Sequence, residues 1–327
     1  MEADPIKLLY DMLRVRRMEE LCAELYTQEK IRGFLHLYIG EEAVVTGVMS
    51  LLRPQDNVMA TYREHGHALL KGVSAKSIMA EMFGKVDGCS RGRGGSMHLI
   101  CTGDRFFGGN AIVAAGIPQA VGLALASKKL KEDRQTVCFF GEGAMAEGVF
   151  HESLNMAELW KIPVLFCCEN NYYAMGTALE RSQSQLNLTK KAEAHNVTSQ
   201  SVDGMNVFEV IEKTREALEF ITREGRPYFL EFRTFRFRPH SMFDPELYRK
   251  KEEVQKWKEK DPIEFLTNHL QQKNLLSQET LGELEIKVNQ EMQEAVRFAD
   301  EAGVEPLEDL EKYLYENDLP RSFEGRA

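Results

Sequence analysis

The chain is poor in cysteine and tryptophan, has no excess of positive charge, and lacks any long apolar run. Its six cysteines include no C-x-x-C pair, so the spacing of a structural zinc site is missing. Cys138, Cys167 and Cys168 fall in apolar runs that read as buried strands. Reduced core thiols and a reducing compartment are expected from that placement. No uninterrupted apolar stretch approaches the ~18 to 20 residues of a membrane-spanning helix. With 41 basic against 51 acidic residues, the net charge of -10 excludes the broad basic footprint of a general nucleic-acid binder. It leaves room for a local anion site built from a few Arg, His and backbone donors. The opening MEADPIKLLYDML lacks the charged-then-apolar layout of a secretory signal. A cytoplasmic location is expected, with an organellar matrix or stroma as the alternative.

What remains is an ordinary globular composition, 43% hydrophobic and 28% charged over 327 residues, which rules out disorder of the whole chain. Apolar residues recur at helical spacing from 5 to 30, including Leu8, Leu9, Met12, Leu13, Met18 and Leu25. A glycine-interrupted loop, IRGFLHLYIGEEA, leads into a helix near 41–52, and a turn follows at Arg53–Asp56. Glycines crowd the stretch 84–116 among His, aromatic and charged residues, so its backbone is shaped around something. Within it, RGRGGSMH lacks the Gly-Lys-Ser/Thr ending of a Walker loop and is taken as close backbone packing under a ligand.

The next segment alternates in type. A helix is expected over 116–130, a strand over 136–140, a helix to about 159 and a strand over 162–168. This is the pattern of β-α-β units in a parallel sheet with helices on both faces. A further helix is expected over 206–223 and a strand over 226–237. From 246 onward the chain is charged and helical, with breaks near 260, 275 and 303. The fold class is therefore α/β, a doubly wound and mainly parallel sheet. The expected organisation is one domain over 1–327, with helical segments at about 1–55 and 246–327.

Ligands of open parallel sheets sit at the carboxyl ends of strands. Two such ends carry polar turns, GEG at 141–143 and ENN at 169–171, with Asn171 29 positions after Glu142. A carboxylate, an amide oxygen and a nearby carbonyl suit a hard cation such as Mg²⁺. A helix starting after Gly143 would add N–H donors for phosphate. Each piece alone is common. Together they point to a magnesium–diphosphate site, and GEGAMAEG lacks the third-glycine spacing of a dinucleotide fingerprint.

GEGAMAEG…ENN resembles the thiamine-diphosphate motif. RGFLHLYIGEEA, TYREHGHAL, GRGGSMH, GGNAIV, ENNYYAMGT and RFRPHSMFDPELYR resemble successive blocks of the alpha subunits of 2-oxo-acid dehydrogenases. The similarity runs from about residue 8 to 300 and is strongest to the pyruvate and acetoin dehydrogenase branch, with the branched-chain branch a poorer match at 33–43. The resemblance implies thiamine diphosphate and Mg²⁺ as cofactors. It implies metal binding by Glu142, Asn171 and the carbonyl of Tyr173, and diphosphate contacts from Gly143 and Ala144 N–H groups and from Tyr62, Arg63 and His240. Ala111, Ile112 and Val113 would hold the aminopyrimidine. His36 would face the substrate end, making His36 and His240 the candidate catalytic residues.

The expected activity is oxidative decarboxylation of a 2-oxo acid, pyruvate foremost, with acyl transfer to a lipoyl group. An acetoin dehydrogenase, a branched-chain enzyme and a non-catalytic assembly subunit are the alternatives. The family's activating Glu comes from a separate beta subunit, and no room for a second α/β domain follows residue 240. An α2β2 heterotetramer working with a dihydrolipoyl acyltransferase is implied. Three departures stand out: Glu142 replaces the usual Asp, Arg238–Pro239 replaces His-Gly, and Ala111 replaces a common Gly. Ser241 stands where eukaryotic relatives carry a regulated phosphoserine. The remaining histidines, His65, His67, His98, His151, His195 and His269, read as structural or surface groups, with His65 placed to support Arg63.

Overall fold

The computed structural model describes residues 4–314; the expected domain limits at 1 and 327 lie outside them. The first helix, α1, spans Pro5–Thr27, opened by an Asp4 side chain that accepts from the Ile6 N–H. Three more helices, α2 (Glu42–Met49), α3 (His65–Lys71) and α4 (Ala75–Met82), surround a three-residue strand, β1 (Asn57–Met59). Next come α5 (Gly116–Leu130), β2 (Thr136–Gly141), α6 (Gly148–Leu159) and β3 (Leu165–Asn170). A small hairpin of β4 (Tyr173–Ala174) and β5 (Thr177–Ala178) follows, then α7 (Leu179–Ser182), α8 (Leu188–Glu193) and β6 (Thr198–Asp203). Then come α9 (Val207–Glu224), β7 (Tyr228–Arg233), α10 (Lys251–Lys258), α11 (Pro262–Gln272) and α12 (Gln278–Glu301).

Five strands form one parallel sheet in the order β1-β2-β3-β7-β6. Alternation along the central strands divides the core in two. Val137, Phe139, Leu165, Cys167, Leu230 and Phe232 face the layer of α1–α4, α9 and α12. Cys138, Phe140, Phe166, Cys168 and Phe229 face α5, α6 and α8. A parallel sheet buried on both faces needs such unbroken apolar strands, and the doubly wound class follows. All six cysteines are unpaired. No helix among the described residues is long and apolar enough to cross a membrane.

Two differences from the sequence pattern have physical causes. β6 reads TSQSVD and lies at the sheet edge, where only its pairing with β7 is required, so no apolar run announces it. The stretch after Gly143 is not the start of an α-helix. Glu142–Ala146 forms a short 3₁₀ turn, and α6 begins only at Gly148.

The glycine-rich loop is shaped around a side chain of the protein itself. Fully buried Glu81 accepts four backbone N–H groups: Ser90 and Gly92 on Oε2 at 2.7 and 2.8 Å, Gly94 and Gly95 on Oε1 at 2.8 and 3.1 Å. The segment after α12 closes over it, with Glu305 bridging Arg91 and Arg93 at 2.9 and 2.6 Å.

Candidate functional site

The parallel register pairs Gly141 with Glu169, so the turns that leave β2 and β3 lie side by side. The backbone N–H of Asn171 donates to Glu142 Oε2 at 3.2 Å and joins the two turns directly. Beyond the strand ends lies a cavity of about 300 Å³, whose wall includes Glu142, Asn171 and Tyr173. Glu142 is buried, and its Oε1 has no hydrogen-bond partner. Burial raises its pKa, with backbone N–H groups opposing the shift. The phenol of Tyr173 is committed to Glu253, 2.9 Å from Oε2, so what it can offer the cavity is backbone.

A buried carboxylate oxygen left unpaired is costly unless a ligand takes it up. Among the described residues no three His, Cys, Asp or Glu converge to hold a metal. The expected set needs no such convergence, because it has one carboxylate, one amide and one carbonyl. That all-oxygen set fits Mg²⁺.

Gly143 and Ala144 follow on the 3₁₀ turn and line the same wall. A Cβ on Gly143 would come within 2.7 Å of the Ala174 Cβ, so the turn can lie this close to the β4–β5 hairpin only with glycine there. Tyr62, Arg63 and His240 also line the cavity. Arg63 serves as a clamp: Nη1 donates to the Leu37 carbonyl at 2.7 Å and Nη2 to the His240 carbonyl at 2.9 Å. It thereby ties the loop before α2 to the loop after β7. Gly40 tightens the same junction, since at φ +104° its hypothetical Cβ would sit 2.3 Å from the Phe235 carbonyl.

His36 does not line the cavity, yet its ring centroid lies 4.5 Å from Tyr62 and 4.9 Å from His240. Both imidazoles are buried, and both Nδ1 atoms lack a partner. Burial, with Arg63 nearby, pulls His36 down to about 2 and His240 to about 3, so both rings are neutral near pH 7. Of the expected pyrimidine contacts, Ile112 and Val113 line the cavity and Ala111 does not. Ile112 is 70% exposed, at the mouth of the site. Ser241 is buried beside His240.

His65 belongs elsewhere. It bridges Glu19 Oε2 at 3.0 Å and Ser96 Oγ at 2.7 Å, all buried, under the Arg63 segment. The glycines of 84–95 do not line the cavity, so the packing-under-ligand expectation is corrected: that loop wraps Glu81.

Two cavity residues, Glu41 and Arg236, escaped the sequence pattern, and a third, Glu169, was read only as part of the ENN turn. Glu41 is buried and pushed up to about 7 by its burial and by the neighbouring charge of Glu169. Glu169 itself accepts from the Tyr38 hydroxyl and lies 3.1 Å from His67 Nε2. Arg236, also buried, reaches toward Asn171 Oδ1 at 3.5 Å and Tyr248 Oη at 3.2 Å. An available signal was charge inside apolar context: GEE within LYIGEEAVV, and the first Arg of FRFRPH.

Comparison with known sequences agrees with the geometry. A family model described as "Dehydrogenase E1 component" matches residues 10–308. The pyruvate dehydrogenase E1 component subunit alpha of Porphyra purpurea is 43% identical over 94% of this chain and 92% of its own length. The corresponding subunit of Rickettsia bellii (strain RML369-C) is 40% identical over 95% of each chain. The chloroplastic alpha-3 subunit of Oryza sativa subsp. japonica is 40% identical over 98% of this chain and 77% of its own.

Proposed function

Because the chain belongs to the dehydrogenase E1 component family, we propose that it is the alpha subunit of a pyruvate dehydrogenase. The enzyme releases CO₂ from pyruvate and passes the remaining acyl group to a lipoyl arm of a dihydrolipoyl acyltransferase. One observation carries this reading: a single cavity gathers a cation set and an anion set at adjacent strand ends. Glu142, Asn171 and the Tyr173 carbonyl hold Mg²⁺. Tyr62, Arg63, His240 and the N–H groups of Gly143 and Ala144 meet the diphosphate.

Thiamine diphosphate, when bound, supplies the carbanion needed to break a bond next to a ketone. This chain supplies charge and placement. Neutral His36 and His240, each with a free Nδ1, can donate or accept a proton beside the reacting end. Their low basicity is set partly by Arg63.

A beta subunit completes the site. Ile112 and Val113 are exposed at the cavity mouth, where such a subunit would cover them. The test is turnover of the chain co-expressed with its beta subunit, using an artificial electron acceptor and pyruvate, acetoin and a branched 2-oxo acid in parallel. Pyruvate is expected to react fastest, and only with both chains, Mg²⁺ and thiamine diphosphate present. Preference for acetoin would replace the substrate. A stable complex inert to all three would favour an assembly role.

A further inference from the structure

We propose that Glu41 is a positioning residue for the cation end of the cavity: it fixes the Asn171 amide so that Oδ1, and not Nδ2, is left for the metal. The inference rests on Glu142 and Asn171 being cation ligands, as proposed above.

An asparagine side chain offers a carbonyl oxygen and an NH₂ group from nearly the same place. Only the oxygen can bind a cation. A ligand asparagine must therefore be kept from flipping, and groups behind the ligands do this work. Here Nδ2 donates to Glu41 Oε1 at 3.0 Å. An ionised carboxylate only accepts, so it holds the NH₂ end and repels the carbonyl end. From the other direction Arg236 Nη1 lies 3.5 Å from Oδ1, and a guanidinium only donates. Both neighbours favour one orientation; a flip would set oxygen against carboxylate and NH₂ against guanidinium.

The rest of the geometry is consistent with that role. Glu41 is 1% exposed and lines the same cavity as Glu142 and Asn171. Its backbone is fixed at the start of α2: its N–H donates to the Tyr38 carbonyl at 3.2 Å and its carbonyl accepts from Val44 at 3.1 Å. Its second oxygen, Oε2, has no partner.

The test uses the assembled complex with the beta subunit, saturating thiamine diphosphate, and Mn²⁺ as an EPR-visible probe of the cation site. Glu41→Met keeps length and removes the acceptor; it should weaken Mn²⁺ binding by roughly 10- to 100-fold, the usual cost of losing a group that orients a ligand. Glu41→Gln keeps an acceptor but adds a donor, which leaves Arg236 alone to choose the orientation, so its loss should fall clearly between the wild type and Glu41→Met. Unchanged affinity in Glu41→Met, with an unchanged melting curve, overturns the proposal. So does an equal loss in both variants, because charge and not orientation would then be the cause. Should Glu41→Met fail to assemble, Asn171→Asp decides. It sets two carboxylates face to face, and adding Glu41→Gln restores a donor–acceptor pair. Recovery of Mn²⁺ affinity in the double variant supports the proposal, and no recovery overturns it. A wild-type complex with no thiamine-diphosphate-dependent Mn²⁺ site would remove the cation-site reading itself, and this inference with it.

Discussion

Two buried carboxylates, Glu81 and Glu142, meet opposite fates in this fold. Glu81 accepts four backbone N–H groups, and a glycine loop closes around it. Glu142 accepts the Asn171 N–H on one oxygen and leaves the other buried and empty. Glu81 lies on α4 and Glu142 on the turn after β2, yet glycines crowd around both, so glycine content does not separate them. Satisfaction does. Glu81, with its lone pairs used up, holds the backbone together, whereas Glu142 combines an unpartnered oxygen with a place on the cavity wall.

Glu142→Ala should cut turnover of the assembled enzyme on the order of a thousandfold, about 4 kcal/mol, because a charge-neutralising metal loses its only carboxylate. Its melting temperature without cofactor should barely move. A large fall in that melting temperature would mean that Glu142 is structural after all. Glu81→Ala should do the reverse. Leaving four N–H groups unpaired, at about 1 kcal/mol or more each, costs roughly 4 kcal/mol of stability, read as a lower denaturation midpoint and faster amide exchange over residues 90–95. An unshifted midpoint would break the contrast from its structural side.

The smallest expected effect concerns His36, whose imidazole is also buried with an empty nitrogen. The unfolded chain protonates this group near its ordinary value of 6.5, while the folded chain holds it down to about 2. Stability from the neutral ring is complete above 6.5 and is lost as pH falls toward 2, at up to about 1.4 kcal/mol per pH unit. Glu41 works in the opposite sense. Raised from 4.5 to about 7, it contributes stability below 4.5 that is lost as pH rises through 7. In the cofactor-free complex, His36→Asn should flatten the decline in melting temperature between pH 6.5 and 5. An unchanged slope would remove His36 from the account.

Much of this was legible because the decisive segment is short in range and strong in pattern. The run from 136 to 171 places two apolar strands, a helix and two polar turns within one β-α-β unit, and α5 spans Gly116–Leu130, as its small-residue pattern indicates. The rest depends on contacts across the chain. Glu41 matters through Asn171, 130 positions away, and Arg63 through a carbonyl 177 positions away. β1 has only three residues, too few to carry a period. The purpose of the glycine loop lay in Glu81, outside the loop itself. Local pattern reveals where a turn will be polar; which polar atoms are satisfied emerges only from the assembled fold.

Equilibrium binding of thiamine diphosphate to the wild-type complex, with and without Mg²⁺, tests the central claim most directly. Tight binding that requires Mg²⁺ is the expected result. Binding of equal strength after complete removal of divalent cations would contradict the assignment of Glu142 and Asn171 as the cation site.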